Sequence, residues 1–147
     1  MFKKVKVFII LTILLNFTGC AKESVQTSKL ILTPDIGKAV LLGRVLDPEE
    51  KPLISVPLHL AEVYHDNYNP EKGAYVLDIA FSPATITDKN GFFAFINIKP
   101  GQYVLVVGDV EVNNYVIVAE KDGKAKVWNV PVDQTIDIGL LKVPYNK

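Results

Sequence analysis

The sequence predicts an all-β fold, an antiparallel two-sheet sandwich of about seven strands, and three observations predict it. No window after residue 38 sustains a 3.6-residue apolar period. Alternating and β-branched runs dominate instead, and turn residues interrupt them about every ten residues. The stretch from Thr87 to Val107 spells a turn, a strand, a second turn and a second strand in succession.

The chain of 147 residues suits one domain, preceded by a targeting segment. Lys3, Lys4 and Lys6 stand before an apolar run from Val7 to Leu15 that only Thr12 interrupts. A membrane-spanning helix needs about 20 apolar residues, so this run reads as a secretory signal over residues 1–19. The run is followed by Asn16 and then Phe17-Thr18-Gly19-Cys20, which holds the only cysteine of the chain. These four residues resemble the lipobox of bacterial lipoproteins, with Phe17 where Leu is commonest. The resemblance implies cleavage before Cys20, a diacylglyceryl group on its thiol and acylation of the new amine. Several acyl chains on one residue anchor a protein stably, where a single chain would bind marginally. The implied location is the bacterial cell envelope, with the domain facing the periplasm or the exterior. Ala21, rather than an Asp, follows the cysteine, which favours the outer membrane in a Gram-negative cell.

Removing the signal leaves 128 residues and no free thiol, so no disulfide supports the fold. The full chain balances 16 basic against 16 acidic residues. Losing three lysines leaves 13 against 16. A chain so charged has no basic patch for nucleic acid and no attraction to anionic lipid. Membrane contact is therefore expected through Cys20 alone.

Residues 20–37 are polar and short-apolar and read as a lipidated N-terminus and tether, with a β-like piece at Leu30-Ile31-Leu32. Residues 38–147 form the domain. Strands are expected at 39–46, 53–63, 74–81, 84–87, 92–98, 102–107, 115–120, 125–130 and 135–143. Asn90-Gly91 and Asp122-Gly123 supply the positive-φ residues of tight hairpins. Alternation points Phe93 and Phe95 one way and Phe92, Ala94 and Ile96 the other. Tyr103, Leu105 and Val107 share a face, as do Val56, Leu58 and Leu60. The unbroken apolar run Val104 to Val107 marks a central strand.

Gly43-Arg44-Val45, Asp47 and Pro52-Leu53-Ile54-Ser55-Val56-Pro57-Leu58 resemble the opening of carboxypeptidase regulatory-like domains. Thr85, Thr87-Asp88, Gly91, Phe93, Phe95, Ile98, Pro100-Gly101, Tyr103, Leu105 and Val107 are similar to that family's central signature. Residues Ile136 to Val143 look like its last strand. Lys51 and Ser55 stand where the family usually carries glycines, and residues 65–82 exceed a minimal domain. The resemblance implies a seven-stranded transthyretin/prealbumin-like sandwich that acts as a non-catalytic accessory.

Chemistry-bearing motifs are few. Asp88-Lys89-Asn90-Gly91 starts like a calcium loop but lacks the later oxygen ligands and the distal Glu, and reads as a hairpin turn. His59 and His65 would stand about 20 Å apart on one extended strand, too far for one metal. His59, opposite Leu58 and Leu60, is expected to face solvent. No Gly-x-Ser-x-Gly nucleophile turn exists, and Glu49-Glu50 sit in an exposed turn. No metal, cofactor or enzymatic constellation is expected. The loop Tyr64-His65-Asp66-Asn67-Tyr68-Asn69-Pro70 combines aromatic rings with amides and carboxylates. Tyr64, His65, Asp66 and Tyr68 are therefore candidate ligand contacts. Trp128 is a further candidate, although a lone Trp on an alternating strand more often belongs to the core.

The expectation is a lipid-anchored structural or protein-binding module. Its alternative is a carbohydrate- or peptide-binding lipoprotein using the 64–70 loop. The partner is an envelope protein or a glycan, and any specific activity is expected in the insert 65–82 rather than in the regular Thr87–Val107 segment.

Overall fold

The computed structural model describes residues 32–66 and 73–146. Cys20, the predicted signal, most of the predicted tether and Tyr68 lie outside the described residues. Among those described there is no helix, and nine strands form: β1 (Ala39–Leu46), β2 (Pro57–His65), β3 (Gly73–Val76), β4 (Ala84–Ile86), β5 (Phe92–Ile98), β6 (Gly101–Asp109), β7 (Asn114–Ile117), β8 (Val127–Val130) and β9 (Thr135–Lys142).

They build two sheets. The smaller has the order β5-β1-β9, antiparallel between β5 and β1 and parallel between β1 and β9. The larger has the order β3-β2-β6-β7, with β4 also paired to β2 and β8 also paired to β6. Strand β4 pairs with the start of β2 and β3 with its end, while β8 and β7 divide β6 in the same way. Nine strands therefore occupy seven rows, three in one sheet and four in the other. The sandwich has the width expected of seven strands, and the two edge rows of its larger sheet are each broken by a loop.

One apolar cluster joins the facing sides of the two sheets. Ala39, Leu41, Val45, Phe93 and Phe95 from the smaller sheet meet Leu58, Leu60, Tyr103, Leu105, Val107 and Val130 from the larger. The Phe93 and Phe95 rings pack edge to face at 5.8 Å. Gly43 lies on this inner side, where a Cβ would stand 2.9 Å from Ile138 and 3.0 Å from the Phe93 ring, so a side chain has no room. The Tyr103 hydroxyl, at the end of a buried side chain, donates to the Lys99 carbonyl at 2.6 Å. Burial is the main reason that its pKa is pushed up to about 12.

Four strands are cut short at one end by two residues or more relative to the sequence expectation, each for a local reason. The strand expected at 53–63 begins only at Pro57. Ser55 adopts φ 52°, and Thr87 holds the preceding loop by accepting from Ser55 N through its carbonyl and from Val56 N through Oγ1. The strand expected at 74–81 stops at Val76, because Asp78 turns the chain. Its carboxylate accepts from Ala80 N and its carbonyl from Ser82 N. The strand expected at 115–120 ends at Ile117, and the one expected at 125–130 starts at Val127. Between them Glu120 N donates to the Lys124 carbonyl across a turn with Gly123 at φ 84°.

The chain attaches to the sandwich before β1 begins. Asp35 and Asn97 exchange two hydrogen bonds, Gly37 N donates to the Asp133 carboxylate, and Thr135 Oγ1 donates to the Leu32 carbonyl. Asn97 and Asp133 both have positive φ, a conformation their short polar side chains tolerate.

Candidate functional site

Strand alternation gives the larger sheet a second, outward side. Ala61 and Val104 are fully buried there and Val106 nearly so, with Val63, Leu77, Val110, Ile117 and Ala125 packed around them. An outward side of a two-layer sandwich normally faces water, so this burial needs a cover. Two segments supply one. The chain after β3, turned by Asp78, brings Leu77 and Ile79 over the sheet. On the other side the β6–β7 connection brings Val110 and Asn113, and its Asp109 carboxylate accepts from Glu111 N to fix the turn.

The two covers do not meet. They leave a groove of about 350 Å³, floored by Val106 and walled by Tyr75, Leu77 and Ile79 against Val110, Asn113, Tyr115 and Ile117. That volume falls at the small end of the range that holds ligands. The rings of Tyr75 and Tyr115 are partly exposed at the rim. Phe81, 86% exposed, and Val112, 69% exposed, project from the two covering loops.

His59 sits on the same outward side, in register with Val106 of the groove floor and Ala84 of β4. The expectation that it faces solvent is corrected. The covered outward side half-buries the ring, and its Nδ1 is sealed with no hydrogen-bond partner. Burial lowers its pKa, and the carboxylates of Asp109 and Glu111 pull the other way.

The residues singled out from sequence do not converge on this groove. Tyr64 is 56% exposed at the end of β2, and its hydroxyl donates to Glu62 at 2.6 Å. That bond raises the Tyr64 pKa. His65 Nε2 lies 2.6 Å from the Gln102 side-chain oxygen, and Asp66 is exposed beside it. Tyr64 lines a separate recess of about 150 Å³ with Glu62, Gln102 and Tyr103. Trp128 belongs to the core: it is 9% exposed and pairs with Tyr103. Lys126 covers its ring, with Nζ 5.7 Å from the centroid.

The Asp88 turn is a backbone device, whose carboxylate accepts from Asn90 N and Phe92 N. Among the described residues no three His, Cys, Asp or Glu side chains cluster closely enough to hold a metal ion. Sequence reasoning missed Tyr75, Ile79, Asn113 and Tyr115. The alternation Tyr75-x-Leu77-x-Ile79 in a segment that is not strand throughout was the one available signal.

No protein-family model and no curated protein matches this sequence. Solved structures with some likeness include a 9R-lipoxygenase from Cyanothece PCC8801, at 23% identity and a TM-score of 0.44 over 82% of this chain and 18% of that one. A protein from Pseudomonas aeruginosa, provisionally described as carbohydrate binding, is 19% identical with a TM-score of 0.44, covering 76% of this chain and 92% of that one. A DUF3823 family protein from Bacteroides uniformis is 15% identical with a TM-score of 0.42, covering 74% of this chain and 43% of that one. The chain thus spans under a fifth of the lipoxygenase and under half of the Bacteroides protein. Likenesses this distant say nothing about activity. The chain is a β-sandwich on its own strands and core.

Proposed function

We propose that this protein is a lipid-anchored, non-catalytic accessory of the carboxypeptidase regulatory-like kind that binds a partner in the cell envelope. The groove on the outward side of the larger sheet carries the reading. An aliphatic floor, two rim tyrosines and one amide make a surface that binds, and they bring no nucleophile beside a base. Cys20 in its lipobox context supports anchoring of the sandwich to an envelope membrane.

Two experiments test the reading. Cys20→Ala is expected to move the protein from the membrane to the soluble fraction, and retention in the membrane would end the anchoring claim. A photo-crosslinking residue placed at Tyr115 is expected to give a discrete adduct in intact cells, while the same residue at Leu140, on the opposite side of the sandwich, gives none. Equal adducts at both places would remove the groove as the binding site.

The recess beside Tyr64 favours a second reading, sugar or peptide contact at that end, because Glu62, Gln102 and Tyr64 present polar groups there. Its volume is less than half that of the groove. Tyr64→Ala is expected to leave the Tyr115 adduct unchanged, and its loss would shift the site to this end.

A further inference from the structure

We propose that the groove receives an extended protein segment in which apolar side chains alternate with lysine or arginine. This inference rests on the groove being the binding site, and it adds the chemistry of the occupant.

The floor selects against a sugar. Leu77, Ile79, Val106, Val110 and Ile117 are aliphatic, and among the lining residues only Asn113 and the two tyrosines carry polar side-chain atoms. A sugar brought here would lose more hydrogen bonds to water than these groups return. An apolar side chain loses none.

Charge selects the sign of the occupant. The wall segment from Gly73 to Ser82 contains Asp78 and no lysine or arginine. The opposite segment, from Val106 to Ile117, contains Asp109 and Glu111 and likewise no cation. The segments that wall this uncharged groove thus carry three carboxylates, of which Asp78 and Asp109 also accept N–H bonds within their own turns. Of the three lysines in the β7–β8 connection, Lys124 pairs with Asp122 at 3.4 Å and Lys126 with Glu120 at 3.6 Å, which leaves Lys121 against the three carboxylates. A cationic segment is drawn to such a rim, an anionic one is repelled, and the anionic surface of a membrane is disfavoured for the same reason.

Length selects an extended chain. Across the sheet β3 and β7 stand three strand spacings apart, about 14 Å, and they pair with opposite ends of the β2–β6 ladder, so the groove runs obliquely and spans more than about four extended residues. Alternate residues of such a segment would point down to the aliphatic floor, and those between them away from it, toward the segments that carry the carboxylates.

The test uses the full chain in nanodiscs of zwitterionic phosphatidylcholine and three labelled hexapeptides, followed by fluorescence anisotropy. The peptides alternate valine with lysine, with serine or with glutamate. The valine–lysine peptide is expected to bind about fivefold or more tightly than the valine–serine peptide, with the valine–glutamate peptide weakest. Glu111→Lys changes an exposed side chain, and is expected to weaken the valine–lysine peptide about fivefold while strengthening the valine–glutamate one.

Equal binding of the three peptides, still lost in Tyr115→Ala, would overturn the cationic occupant and leave the groove as the site. Binding that Tyr115→Ala and Ile79→Ser leave unchanged would overturn both readings. Equal binding to empty nanodiscs would assign the peptides to lipid and overturn the proposal.

Discussion

The outward sides of the two sheets both expose apolar side chains, and they differ in shape and in charge. On the smaller sheet Phe92, Ile96 and Leu140 are exposed, and no loop packs over them among the described residues. Arg44 lies over the Phe92 ring at 5.1 Å, and its Nε donates to the Asn90 carbonyl. Lys142, two residues beyond Leu140, pairs with Glu50 at 2.6 Å. Cations are therefore interleaved with the apolar groups, and single exposed hydrophobes of this kind are ordinary protein surface. On the larger sheet the insert and the β6–β7 connection rise on either side of Val106, and no cation enters. The same residue types make ordinary surface in one place and a recess in the other. Shape and the missing cations, rather than apolar content, separate the side proposed to bind from the side that is merely solvated.

The largest effect separates the core from the groove. Leu105 is fully buried on the inner side of β6, and Leu105→Ala is expected to destabilise by about 2–5 kcal/mol. Ile79, more than half exposed on the groove wall, is expected to cost less than about 0.5 kcal/mol when changed to Ala. Urea unfolding curves with matched slopes measure both. Comparable losses would mean that the groove wall is part of the core and its function is structural.

A smaller effect tests how the β7 wall is held. Gly108 has φ 119°, and a Cβ there would stand 2.4 Å from the Asn114 carbonyl oxygen and 2.5 Å from the Tyr145 ring. Gly108→Ala is expected to cost about 1–3 kcal/mol through backbone strain and to displace Tyr115, its register partner. Gly101→Ala on the same strand meets only Tyr103, at an ordinary 3.7 Å, and is expected to be close to neutral. If the two variants unfold alike, the close approach at Gly108 does not hold the wall in place.

The sandwich was legible in sequence because its strands obey period two. Phe93 and Phe95 are buried while Phe92 and Ile96 are exposed, as alternation requires. The run Val104 to Val107 is buried on both sides and lies in the central strand β6. The groove was not legible, because it depends on where two loops rise over a sheet. Nothing in the residue types of 77–82 says that the chain around the Asp78 turn lies against Val106. His59 looked solvated for the same reason. Alternation assigns it correctly to the side away from Leu58 and Leu60, but it cannot say that this side is covered.

Ser55 offers a finer comparison, between this chain and the family pattern it resembles. Glycine is usual at that position, and the backbone here has φ 52°, where a side chain costs about 1–2 kcal/mol relative to glycine. Part of that gain is returned as the extra chain entropy that glycine loses on folding. Ser55→Gly is therefore expected to stabilise by about 0.5–1 kcal/mol, read as a higher urea midpoint. The Ser55 N–H bond to the Thr87 carbonyl survives the change. A lower midpoint would show that the serine hydroxyl contributes more than the strain removes.

The smallest effect concerns His59, where the covered and solvated sides can be compared by titration. Burial lowers its pKa from 6.5, so the folded protein takes up the proton less readily than the unfolded chain. The stability linked to this ring is complete above the unfolded value of 6.5 and is lost as pH falls through the folded value. Urea midpoints of the wild type and of His59→Gln at about pH 8 and about pH 5 isolate the effect, because the carboxylates common to both chains cancel. The wild type is expected to lose more stability than the variant on acidification. The loss is modest, because the ring is only half-buried and Asp109 and Glu111 favour its charged form. Parallel pH profiles would mean that water reaches Nδ1, and that the loops over the larger sheet stand open.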